Sequence, residues 1–223
     1  MDISALMTLA LGAAWASGLN LYAAAATLGI MGVTGQIDFP PDMQVLTHPA
    51  MIGVAAALYC VEFFTDKLPG IDSTWDAIHT FIRIPAGAVM AAMAIGEVGF
   101  GAQALAFLLG GGVAAATHAV KAGSRVVINT SPEPFSNWGP SITEDALAIG
   151  GITLAVFYPV GFLVLFAGFV AFAMWILPKI IRGIRGLWQR LRGTKQIAPP
   201  TGGTPRSDDG RFSLQPGKDA PPK

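Results

Sequence analysis

Glu62, Asp66, Lys67, Asp72, Asp76 and Arg83 fall within one short stretch of the chain, and Lys121, Arg125, Asn129, Ser131, Glu133, Asn137, Glu144 and Asp145 within a second. Carboxylates gathered in this way bind protons or hard cations through oxygen, while lysine or arginine beside them balances charge or grips an anionic group. Side chains three or four positions apart share a helix face. Tyr59, Glu62 and Asp66 therefore align as an acidic face, and His118, Lys121 and Arg125 as a basic one. Together these stretches are the candidate binding site for an ion or a polar solute.

Other chemistries find less support. One cysteine, Cys60, and three scattered histidines do not make a usual zinc set, and no acidic spacing identifies a particular metal. No cofactor is expected. Gly99-Phe-Gly101 and Gly110-Gly-Gly112 lie in or beside an apolar run with no preceding strand, so they read as packing glycines rather than a nucleotide loop. Cys60 has no partner for an intramolecular disulfide and reads as a small core residue.

The elements that must position these residues are membrane helices. The 223 residues are 52% hydrophobic and 13% charged with a mean hydropathy of +0.55, which excludes an ordinary soluble domain. Five segments reach the roughly 20 apolar residues a span needs: about 3–33, 45–64, 78–96, 100–120 and 146–177. The fold class is all-α and polytopic, with the polar stretches as turns between helices. Gly18 with Asn20, and Pro159 with Gly161, mark places where the first and last segments bend or break.

Gly53-Val-Ala-Ala-Ala57 recurs as Gly112-Val-Ala-Ala-Ala116, and the same shift sets Glu62 on Lys121 and Asp66 on Arg125. This points to a two-fold parallel repeat of helix, turn, helix, with copies at about 45–96 and 100–177. Gly53 with Ala57 and Gly112 with Ala116 have the small-residue spacing that lets membrane helices approach. If the copies pack there, acids face bases, and exchanging Glu62 and Lys121 by mutation should preserve the pair.

Residues 1–178 carry 4 basic and 11 acidic side chains, and residues 179–223 carry 10 basic and 3 acidic. Lys179, Arg182, Arg185, Arg190, Arg192 and Lys195 directly follow the last span and should stay in the cytoplasm. Residues 179–192 alternate apolar and basic side chains as an amphipathic helix on anionic lipid does. Residues 193–223, rich in Pro, Gly and charge, read as a disordered cytoplasmic tail. The bilayer, an anionic lipid at the tail and a second copy of the chain are candidate partners; nucleic acid is not. Ala14-Trp-Ala16 resembles a cleavage site, but Asp2 stands where a signal peptide is positive, so the first helix should be retained. Five spans put both polar turns outside. A first segment folded as a hairpin would move only the N-terminus, and a last segment folded back would make the turns cytoplasmic.

Gly18-Leu-Asn-Leu-Tyr22, the run from Glu62 to Pro69, Asp72-Ser-Thr-Trp-Asp76, and Asn129-Thr-Ser-Pro-Glu-Pro-Phe-Ser-Asn137 with Glu144-Asp145 resemble a bacterial multi-pass membrane family catalogued as domain of unknown function 4126. The resemblance covers about residues 1–178. It implies a bacterial inner-membrane protein and brings no activity, substrate or cofactor. The residues themselves point to a small transporter or channel-like protein with a charged site between the repeats. Two alternatives stay open: a membrane enzyme or lipid-headgroup handler in which Lys121 and Arg125 hold a phosphate, and a structural or assembly factor.

Overall fold

The computed structural model describes residues 1–68, 70–129 and 138–193, which are mostly helical with no strand among them. Ser131, Glu133, Asn137 and the tail beyond 193 lie outside the described residues. Met1–Gly186 forms one compact unit; of the second, which begins at Leu187, only the helical residues to Gly193 are described.

Helix α1, Ile3–Val33, starts at Asp2, whose carboxylate accepts the Ala5 N–H at 2.7 Å, and this bond holds the Asp2 carboxyl below its usual range. A 3₁₀ turn, Pro41–Thr47, leads into α2, Pro49–Thr65, where Pro49 occupies the first turn and the His48 ring accepts the Ala50 N–H. Then follow α3, Ile71–Ile95, a short 3₁₀ turn, Gly96–Val98, α4, Phe100–Ile128, α5, Trp138–Phe157, and α6, Pro159–Gly193. Gly70 and Gly99 precede α3 and α4 with φ of +85° and +125°, values that favour glycine.

Five helices, α1, α3, α4, α5 and α6, are long and apolar enough to cross a membrane. The protein is a multi-pass membrane protein. Helix α2 and its 3₁₀ turn form a pair bent by 62°. The polar stretches are mostly helix rather than turn: α3 begins at Ile71 and takes in Asp72 and Asp76, and α4 runs on past Arg125 to Ile128. These helices are amphipathic in the inverted sense. Asp72, Asp76, His79 and Arg83 of α3 are buried, while Ile71, Ile78, Phe81 and Ile82 are exposed.

Two segments turn back on themselves at single residues. Trp15 of α1 meets Gly151 of α5 and also Phe162 and Phe169 of α6. On a straight run Gly151 and Phe169 would be about 27 Å apart; the chain therefore reverses at Tyr158, and Ile180 comes back against Gly123 of α4. Helix α1 reverses at Asn20, whose φ of −149° and ψ of 98° are not helical. Ser17 donates to the Arg83 carbonyl at 2.9 Å, so a straight α1 would carry Gly29 about 18 Å toward the start of α3. Instead Gly29 rests on Leu46 and Ile52, and Asp42 of the same 3₁₀ turn lies against Gly96 at the other end of α3.

The reversals correct the expected sidedness. The Asn20 tip, the α2–α3 turn, the end of α4 and Ile180 share one side, so the α2–α3 turn and the end of α4 are not on the opposite face from Ile180, where the basic group begins. Residues 36–48, Gly96–Gly99 and Tyr158 share the other.

Close helix contact also falls elsewhere than expected. A methyl group on Gly53 or Gly112 would meet nothing within 4 Å, whereas a Cβ at Gly18 would lie 2.6 Å from the Ala114 carbonyl and one at Gly87 2.6 Å from Ala114 Cβ. Helices α1, α3 and α4 thus meet on Gly18, Gly87 and Gly110, the last against Ala91. The small-residue motifs face outward, and Cys60, expected in the core, is exposed as well.

Candidate functional site

All four basic residues of positions 1–178 converge with six carboxylates in one buried layer: Lys67, Arg83, Lys121 and Arg125 with Glu62, Asp66, Asp72, Asp76, Glu144 and Asp145. Helical spacing accounts for the convergence. Asp72, Asp76, His79 and Arg83 recur at intervals that keep one face of α3 inward, and His118, Lys121 and Arg125 do the same on α4. Arg83 lies about 18 Å along α3 from Ile71, far beyond the reach of the helix end.

Lys121 is the hub. Its ammonium, fully buried, donates to Asp66 Oδ2 at 2.8 Å, Glu62 Oε1 at 3.3 Å and the Leu19 carbonyl at 3.0 Å, with Glu144 Oε2 at 3.5 Å and Asp76 Oδ1 at 3.9 Å. Arg83 donates to Glu62 Oε1 at 2.7 Å and Asp76 Oδ1 at 2.9 Å. Arg125 donates to Glu144 Oε2 and to the Asp66 carbonyl, both at 2.6 Å, and lies 3.7 Å from Asp72 Oδ2. Asp72 in turn accepts from the Gly70 and Ser73 N–H groups and from Asn129 Nδ2 at 2.8 Å. Lys67, beside the turn, donates to the Phe63 carbonyl and packs on the Phe63 ring; burial pulls its ammonium below the usual lysine range, against the pull of Asp145 and Asp66.

The Leu19 carbonyl is free for Lys121 because α1 breaks at the next residue. Asn20 caps the returning half of α1 by accepting the Ala23 N–H at 2.9 Å and donates its own amide to Asp145 Oδ1 at 2.8 Å. Such backbone is tolerated at membrane depth when buried in protein, and Asn20 is fully buried.

Two histidines border the layer. His118 Nδ1 accepts from Arg83 at 3.2 Å, which leaves Nε2 to donate to Thr80 Oγ1 at 2.7 Å, and the Thr80 hydroxyl donates in turn to the Asp76 carbonyl. His79 Nδ1 donates to the Trp75 carbonyl, and Nε2 shares a hydrogen bond with Tyr22 Oη at 2.9 Å. Sequence reasoning placed His118 on the basic face but read Asn20 only as a break, although a lone Asn within the apolar first segment was a usable signal for a site residue. The structure brings together Glu62, Asp66, Lys67, Asp72, Asp76, Arg83, Lys121, Arg125, Asn129, Glu144 and Asp145 of the expected set.

Among known families, the model of the one described as domain of unknown function (DUF4126) matches residues 7–179. The chain belongs to that family. Every described layer residue of this DUF4126 chain, from Asn20 to Asp145, lies inside the match. None of the curated proteins and none of the solved structures matches it.

Chemically the layer is an ion-pair network short of positive charge. Among the described residues no three acid, histidine or cysteine side chains converge as a metal site. Glu62 Oε2, Asp66 Oδ1, Asp76 Oδ2 and Asp145 Oδ2 are buried without a hydrogen-bond partner. Buried carboxylate oxygens left in this state are costly and attract protons or cations.

Proposed function

We propose that the protein is a small transporter for an ion, the buried layer being the place the ion occupies during its passage. One observation carries this reading: six buried carboxylates face four cationic side chains around the tip of a broken membrane helix. Ionisable groups within a membrane body are expensive and mark ion pathways, and interrupted helices supply freed backbone groups at transporter sites. The fixed cations Arg83, Lys121 and Arg125 hold the carboxylates in place, and the surplus negative charge draws a cation inward. On this reading the α2–α3 and α4–α5 pairs are copies whose charges have diverged.

The orientation belongs to the same proposal. Lys179, Arg182 and Arg185 follow the last span and favour the cytoplasmic side of a bacterial inner membrane, which opens the layer toward the cytoplasm. Purified protein in vesicles, driven in turn by gradients of proton, sodium, potassium and organic anions, tests the function. Flux of one cation above that of protein-free vesicles is expected, and silence with all of them sinks the transporter reading.

A further inference from the structure

Five of the six carboxylates in the layer have a cationic partner within 4.0 Å: Glu62, Asp66, Asp72, Asp76 and Glu144. Among the described residues Asp145 has none. It is 6% exposed, its Oδ1 accepts from Asn20, and its Oδ2 has no partner. The groups acting on it are Tyr59 and Glu62 of α2, Asp66 and Lys67 of the following turn, Lys121 of α4, and its neighbour Glu144. Glu62, Asp66 and Glu144 already share Arg83, Lys121 and Arg125, so those cations are committed elsewhere.

We propose that Asp145 is the proton-binding residue of the layer, and that its occupancy is coupled to the Asn20 reversal of α1. A metal cation needs several converging oxygens; a proton needs one carboxylate. The proton sits on Oδ2, where it neutralises the one acid of the layer that has no cationic partner within 4.0 Å among the described residues, while Oδ1 keeps the Asn20 amide. Loss of that proton leaves a buried carboxylate held at Oδ1 by the residue that caps the returning half of α1, with the Tyr59 hydroxyl beside it. Helix α1 is therefore the element that responds. The proposal rests on the transporter reading for its purpose and names the proton as the transported or coupling ion.

Infrared difference spectroscopy of the full chain in lipid, titrated from alkaline to acidic pH, tests it. A protonated-carboxyl band should titrate, shift with isotope-labelled aspartate but not glutamate, vanish in Asp145→Asn, and persist in Asp42→Asn at the other end of the bundle. Hydrogen exchange at residues 21–24, normalised for intrinsic pH dependence, should vary with pH in the wild type and lose that variation in Asp145→Asn. A band that survives Asp145→Asn, or labels with glutamate alone, overturns the assignment. Wild-type vesicles without proton flux, together with loss of the band in Asp145→Asn, remove the transporter reading and leave the proton site standing. Proton flux with an unchanged band in the variant does the reverse.

Discussion

The reversals at Asn20 and at Tyr158 solve the same geometric problem on opposite sides of the bundle. At Tyr158 the chain uses proline: Pro159 opens α6, where a missing N–H costs nothing, and Tyr158 is 67% exposed. At Asn20 there is no proline and no solvent, so side chains take over freed backbone groups. Asn20 caps one half of α1, and Lys121 takes the carbonyl of the other. The difference teaches that a corner at the surface is only a corner, whereas a corner in the interior is wired to whatever satisfies it.

Breaking that wiring should cost most at its hub. Lys121→Met takes one of two cations from Glu62, Asp66, Asp76 and Glu144 and strands the Leu19 carbonyl, and a loss of about 3–5 kcal/mol is expected, read as a large fall in the thermal midpoint in detergent. Asn20→Leu removes the cap and the Asp145 donor, for about 2–3 kcal/mol, read in the same assay. Gly18→Ala pushes a methyl group onto Ala114 and Thr117 beside the inner corner and should cost about 1–2 kcal/mol, with wild-type helicity by circular dichroism. Pro159→Ala at the outer corner should change stability by less than about 1 kcal/mol. If Pro159→Ala proves as damaging as Asn20→Leu, the contrast between the corners is wrong.

Much of this is legible in the sequence. The bounds expected for α1 match the helix, and Asn20 and Pro159 stand out as breaks, because a polar residue or a proline inside an apolar run disturbs the ladder of backbone bonds. The start of α3 lies seven residues before its expected place because Asp72, Asp76 and His79 look like a solvated turn. In a membrane the polar face turns inward, and only the spacing from Asp72 to Arg83 reveals that. Pairing of Glu62 with Lys121 is legible too, but as a two-body contact. Arg83 also holds Glu62, so exchanging the charges of Glu62 and Lys121 would set a lysine against an arginine and should not restore stability. Contacts that depend on four helices at once are not written in any one of them.

The glycine contacts among α1, α3 and α4 have an electrical consequence. They lie one turn beyond Arg83, on the side of the layer away from the polar turns, and bring the backbones together with no space between. A slab this tight and apolar is an insulator, and most of a membrane voltage falls across it. Moving one elementary charge through 100 mV is worth about 2.3 kcal/mol, and on the proposed transporter reading an ion arriving from the turn side would meet that work only after reaching the layer. On that reading voltage should act on the parting of Gly18, Gly87 and Gly110 far more than on how tightly the layer holds the ion.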